Sequence, residues 1–189
     1  MLSTAQTLND PMLVDWLAAL TLLRDQTHDL VTSLTQMDRA RTPAAGAWSV
    51  DQILEHLAIS NQLYVVVMQR ALTMQANRVT SRHPVWKPTL IGGLLRRAVD
   101  PAAPRKLRSA KRLRPGPTVR AHVLSRFTES VDGLRRLMQD ADGVDLRAVR
   151  FPSPFASIIH LNLGDGFAIC VAHTARHIKQ IERTIERVS

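Results

Sequence analysis

The stretch Cys170-Val171-Ala172-His173-Thr174-Ala175-Arg176-His177-Ile178-Lys179-Gln180-Ile181 carries two histidines four residues apart in a run with helical periodicity. At about 3.6 residues per turn, positions i and i+4 stack on one face of a helix, so both imidazoles can reach a common point. Phe167, Cys170, Val171, Ile178, Ile181, Ile185 and Val188 fall on roughly the same face, which turns the histidines toward the protein interior. Two inward imidazoles invite a metal ion. A His-x-x-x-His pair also arises by chance, and histidines hydrogen-bonded within a core would give the same pattern. A metal site therefore needs a third ligand from elsewhere in the chain.

Upstream of this helix, Asn162 is placed to cap it, with Asp165 at the third position. Phe151-Pro152-Ser153-Pro154 reads as an extended linker, because each proline disfavours helix in the residue before it. Before that, Val123, Leu124, Phe127, Val131, Leu134, Leu137 and Met138 mark a helix over 119–140, with His122 beside its apolar stripe. A further helix is expected over 49–76. Ser49-Val50-Asp51-Gln52 forms a capping box at its start, and Ile53, Leu57, Tyr64 and Val67 form its inner stripe. His56 lies next to Ile53 and Leu57 and is the candidate third ligand; Glu55 is expected to face solvent. The first helix is expected from Asp10 as N-cap to Met37, with Pro11 at its first position and His28 on its outer side. No strand-period run and no internal repeat is evident. Four long amphipathic helices with one long connection describe an all-α four-helix bundle, and the length of 189 residues suits one domain.

The long connection, 77–118, joins the second and third helices and carries the charge. It contains 11 Lys and Arg against the single acid Asp100, whereas the whole chain is only +9, so the remainder sums to −1. Prolines and glycines punctuate it, and only Thr89 to Val99 is apolar enough for a short helix. A solvated crossover with scattered arginines is the plain reading. The alternative is a polyanion contact through Arg105, Lys106, Arg108, Lys111, Arg112 and Arg114. Trp86 is the only tryptophan, tyrosine or phenylalanine in the segment, so the stacking platform of a single-strand binder is missing and nucleic acid is not the favoured partner. No apolar run approaches the ~20 residues that cross a bilayer. The first ten residues lack the basic and apolar regions of a signal peptide, and a lone cysteine allows no intrachain disulfide. These readings point to a cytoplasmic protein without membrane association.

Two blocks of sequence resemble the DinB-like (DinB/YfiT-like) superfamily of metal-dependent bacterial proteins. Gly46-Ala47-Trp48-Ser49-Val50-Asp51-Gln52-Ile53-Leu54-Glu55-His56-Leu57-Ala58 is similar to the family's W-S-x-x-x-x-L-x-H-L opening of helix two. The stretch from Leu163 through His173, His177 and Gln180 is similar to its H-x-x-x-H-hydrophobic-x-Q helix four. The resemblance implies a four-helix bundle, a homodimer, and a metal triad of His56, His173 and His177. Imidazole ligands suit one divalent transition metal, Zn, Ni, Fe or Mn among others, without choosing between them. Three ligands leave an open position, as in catalytic sites. Some relatives use such a site to join low-molecular-weight thiols to electrophiles. The expected function is thus a metal-dependent enzyme, a transferase acting on a small thiol or a hydrolase; the alternative is a metal-stabilised binding protein whose basic segment meets nucleic acid or another polyanion. A zinc protease of the His-Glu type is disfavoured, because Thr174 stands where its general-base Glu would follow the first histidine. His160 is a candidate pocket residue; Tyr64 and Trp48 could line the pocket, though helix-face aromatics are more often core; and Cys170, one turn before His173, is weighed as a fourth ligand against the packing role usual for a buried cysteine.

Overall fold

The computed structural model describes residues 8–75, 85–103, 113–116 and 118–188. It is mainly helical: α1 Pro11–Thr32, α2 Gln36–Ala40, α3 Val50–Gln75, α4 Leu90–Ala98, α5 Val123–Asp140 and α6 Leu163–Val188, with two short strands, β1 Arg150–Pro152 and β2 His160–Asn162, between α5 and α6.

The caps read from sequence are in place. The Asp10 side chain accepts from the Met12 amide at 2.8 Å, and Pro11 opens α1. Ser49 and Gln52 form the reciprocal pair, with the Ser49 amide donating to Gln52 Oε1 at 3.0 Å and the Gln52 amide to Ser49 Oγ at 3.3 Å. Asn162 Oδ1 accepts from the Asp165 amide at 2.8 Å. Two helix boundaries differ from expectation. The first helix stops at Thr32, short of Met37, because Thr35 turns extended and caps a separate short helix, accepting from the Asp38 amide. The third begins at Val123 and not at 119, since His122 sits in the left-handed region (φ 55°), which cannot continue a helix.

The long helices close a ring of contacts: α3 packs on α5 and α6, and α1 packs on the same two. Between them lie Leu13, Leu20, Ile53, Leu57, Met68, Phe127, Leu134, Phe167 and Ile181, all fully buried. Glu55, expected in solvent, is buried at 3% exposure and accepts from Arg120 at 2.9 Å and Arg126 at 3.2 Å. The neighbouring start of α5 therefore covers a face of α3 that the isolated helix would leave wet.

The expectation of no strand is corrected by the antiparallel pair, in which Phe151 faces Leu161 and Pro152 faces His160. Pro152 cannot donate to a ladder, and the pairing continues instead through the Ser153 amide to the Ile159 carbonyl at 2.7 Å.

The described part of the long connection is not a solvated crossover. α4 packs against α6. Asp165, buried in the first turn of α6, accepts from the Thr89 amide at 3.1 Å and the Thr89 hydroxyl at 2.7 Å. Trp86 donates to Asn162 Oδ1 at 3.1 Å and meets Trp16 edge-on at 5.1 Å. Gly164 permits this approach, since a Cβ there would come within 2.2 Å of the Trp86 ring. Arg105, Lys106, Arg108, Lys111 and Arg112 lie outside the described residues.

Candidate metal centre

α3 delivers His56 nearly two turns from its capped start, at about 3.6 residues per turn, and α6 delivers His173 and His177 on successive turns of one face. The three imidazoles meet. His56 Nε2 is 3.2 Å from His173 Nε2, the ring centroids lie 4.6 to 5.1 Å apart, and one nitrogen from each residue falls within 4.8 Å of the others. His56 is 1% exposed, His177 is 9% exposed, and His173 is partly exposed.

The outward nitrogens of two rings are already committed. His56 Nδ1 lies 2.8 Å from the Leu113 carbonyl, and His177 Nδ1 lies 2.9 Å from Gln180 Oε1. Each oxygen can only accept at these positions, so each Nδ1 carries the proton and each Nε2 presents its lone pair. Such an outer hydrogen bond is the usual means of fixing the tautomer of a metal-binding histidine. Burial also favours the neutral rings. Desolvation pushes the His56 pKa down against the pull of the Leu113 carbonyl. Desolvation, with the neighbouring histidines and Arg176, pushes His173 well below the ordinary imidazole range. His177 is lowered to about 3, chiefly by desolvation and then by His56. Neutral imidazoles with free Nε2 atoms are the form that binds a metal.

The donor set fits a divalent ion. Nitrogens bound to one ion at about 2.1 Å lie roughly 3 to 3.4 Å apart in octahedral or tetrahedral shells, and the His56–His173 pair already stands at 3.2 Å. Among the described residues, no carboxylate or thiol joins the group.

The triad borders a cavity of about 820 Å³, within the usual size range of small-molecule sites. Trp48 lies across the triad, 5.0 Å from the His56 ring and nearly parallel to that of His177 at 6.3 Å. Tyr64, Leu95, Val99 and Phe155 supply further wall. α4 and the residues after it thus belong to the site. Trp48 and Tyr64 border the cavity and also pack in the core, Tyr64 within it and Trp48 against it. His160 does not: it is exposed on β2 and lies outside the cavity lining. Cys170 is buried and does not join the histidine group, and burial pushes its thiol up, so it packs as a protonated side chain. His28 and His122 are exposed. Arg114 is the one described member of the expected polyanion set.

Gln180 and Leu113 were not assigned roles from sequence. Gln180 had a signal, the glutamine three residues after the second histidine. Leu113 had none, because a backbone carbonyl in an irregular segment leaves no mark in residue type.

The fold and site together define a helical protein with a three-histidine group bordering a cavity. The family model of the DinB superfamily matches residues 19–181, and the chain belongs to that superfamily. No curated protein and no solved structure matches the chain significantly. Among the described residues, no helix is long and apolar enough to cross a membrane.

Proposed function

We propose that this protein is a metal-dependent enzyme, with His56, His173 and His177 as its reaction centre and a low-molecular-weight thiol as substrate of a transfer reaction. α1, α3, α5 and α6 are read as the four-helix bundle of the family. The observation that carries the proposal is the convergence of three imidazole nitrogens beside a cavity, with no fourth side-chain ligand among the described residues. A closed structural site would have spent that position on a protein ligand.

His56, His173 and His177 would hold the ion through Nε2. A bound divalent ion supplies Lewis acidity, lowering the pKa of a water or thiol at its open position. The chain supplies the rest. The Leu113 carbonyl and Gln180 keep two rings in register. The indole of Trp48 covers one side of the triad and excludes water there. Tyr64 is held as a phenol by burial, which pushes its pKa far up, so it can donate a hydrogen bond and does not compete as an anion. Leu95, Val99 and Phe155 provide an apolar wall against which an organic substrate loses its hydration.

Elemental analysis of untagged protein purified without chelator tests the centre. About one equivalent of divalent metal is expected in the wild type and less than about a tenth in His173→Ala/His177→Ala, because one remaining imidazole cannot hold the ion. A thiol-plus-electrophile assay on the loaded protein then tests the reaction. Hydrolysis without thiol consumption would assign the site to a hydrolase. A wild type that takes up none of Zn, Ni, Fe or Mn removes the enzyme reading.

A further inference from the structure

The cavity has two ends, one on each side of the triad along α6. Leu95, Val99, Phe155, Ile159 and Ile169 line it beside the first half of the helix, whereas Arg183 and Arg187 line it beyond His177. Contacts along the helices fix the first end. Gly92 of α4 abuts Asp165, and Arg176 donates to the Asp100 carbonyl at 2.6 Å, so α4 runs alongside α6 in the same direction and sets Leu95 and Val99 before His173. α3 runs the opposite way: His56 meets His173, and Gly166 abuts Met68, which brings Tyr64 level with the stretch around Ile169. The segment between β1 and β2 closes this end with Phe155, whose ring lies 5.3 Å from that of Tyr64. Along the helix axes, Ile169 stands about 6 Å before His173 and Tyr64 about 12 Å beyond His56, at about 1.5 Å per residue.

The wall of this end is apolar. The charged residues of the lining, Arg176, Arg183 and Arg187, all come after His173 in α6, and Arg176 is turned to the carbonyls of Asp100 and Ala103, past the end of α4. Two hydroxyls interrupt the apolar surface. Ser153 Oγ already accepts from the Phe155 amide at 3.3 Å. Tyr64 is different: it is 5% exposed, its ring stands edge-on to Phe151 and Phe155, and among the described residues its hydroxyl has no hydrogen-bond partner. A charged group entering here would lose its hydration with no partner in return. An apolar molecule that displaces water from this end leaves the phenol unpaired, at a cost, unless it brings an acceptor of its own.

We propose that the organic substrate of this centre is an uncharged, largely apolar molecule with a carbonyl or similar oxygen acceptor. Its body fills the end between Leu95, Val99, Phe155 and Ile169, its oxygen accepts from the Tyr64 hydroxyl, and its reacting end faces His173. The proposal rests on reading the triad as the reaction centre, and it assigns Tyr64 as a specificity-determining residue. Tyr64 distinguishes an oxygenated molecule from a hydrocarbon of the same shape, because the hydrocarbon would strand a buried donor.

The test uses full-length protein, both chelator-stripped and Co(II)-loaded, with three probes followed by fluorine NMR: 4′-fluoroacetophenone, its hydrocarbon counterpart 1-ethyl-4-fluorobenzene, and 4-fluorobenzoate. The stripped wild type is expected to bind the ketone. Tyr64→Phe, shown to be folded by circular dichroism, should weaken ketone binding about three- to tenfold, the effect of one neutral hydrogen bond, while the hydrocarbon binds as before or more tightly. 4-Fluorobenzoate in about tenfold excess should leave the ketone in place. No ketone binding, a ketone affinity unchanged in Tyr64→Phe, an equal loss for the hydrocarbon, or displacement by the benzoate each overturns the proposal. Cobalt separates it from the reading of the triad. Paramagnetic broadening of the bound ketone's fluorine signal in the Co(II) protein supports both. Tyr64-dependent ketone binding with no cobalt uptake keeps the apolar end and sinks the metal centre; cobalt uptake without ketone binding, or without broadening of the bound ketone, does the reverse.

Discussion

At the residue scale, the triad depends on atoms that are not ligands. The carbonyl of Leu113 and the amide of Gln180 choose which nitrogen of His56 and His177 faces the centre. Gln180→Leu keeps the side-chain volume but removes the acceptor, so His177 is free to adopt the other tautomer and to rotate. Outer-shell losses of this kind reduce metal affinity about 10–100-fold, and competition with a chromophoric chelator should show a decrease in that range with the fold intact. An unchanged affinity would mean that packing against Trp48 alone orients the ring. Glu55 gives a second residue-scale prediction. It is 3% exposed and receives two guanidinium groups, of which Arg120 is mostly in solvent and Arg126 less so. Removing the carboxylate leaves charges that water partly reaches, so the penalty falls below that of a fully buried pair. Glu55→Ala should lower stability by about 2 kcal/mol, read from the denaturation midpoint; a change under about 0.5 kcal/mol would show that the ion pairs are incidental.

At the element scale, the cavity exists because α4 is fastened across the start of α6. Gly92 is the closest approach: a Cβ there would meet the Asp165 carboxylate at 2.2 Å, while Asp165 is itself held by Thr89. Alanine improves helix propensity by at most about 1 kcal/mol, whereas overpacking a tight contact costs about 1–3 kcal/mol. The clash should win, so Gly92→Ala is expected to speed amide hydrogen exchange across 85–103 and to lower the melting temperature. Unchanged exchange would show that the segment is held elsewhere. The helix itself was legible as the apolar run Thr89 to Val99, but its seat on α6 was not. Pro84, Pro88, Gly92 and Gly93 look like punctuation of a loop, and the sequence does not reveal that Gly92 and Gly164 are spaces for other side chains. By contrast, His56 was legible from the Ser49–Gln52 box and the stripe of Ile53 and Leu57, because both are local patterns. The pairing of β1 with β2 spans only three residues on each strand, too short for a period to appear. Glu55 was misplaced for a related reason: helical phase gives a direction, and only the tertiary position of α5 says what lies there.

At the scale of the whole molecule, folding places three imidazoles together with little water, and this couples stability to pH. In the folded, metal-free protein all three histidines have lowered pKa values, that of His177 to about 3. In the unfolded chain each returns to about 6.5. Below that value the unfolded state binds protons that the folded state refuses, so stability is complete above about pH 6.5 and is lost as pH falls from there toward the folded values. For His177 alone, lowering the pH from 6.5 to 5 removes about 2 kcal/mol, at roughly 1.4 kcal/mol per pH unit; His56 and His173 shift in the same direction. A bound ion should add to the slope, since it too favours neutral rings in the folded state and is displaced by protons. Chelator-treated protein should therefore melt several degrees lower at pH 5 than at pH 7.5, and His177→Gln should flatten the dependence even if it lowers stability at neutral pH. A wild-type melting temperature that holds constant across this range would mean that the cluster opens and takes up protons without unfolding. The histidines would then be less enclosed in solution than their packing under Trp48 implies.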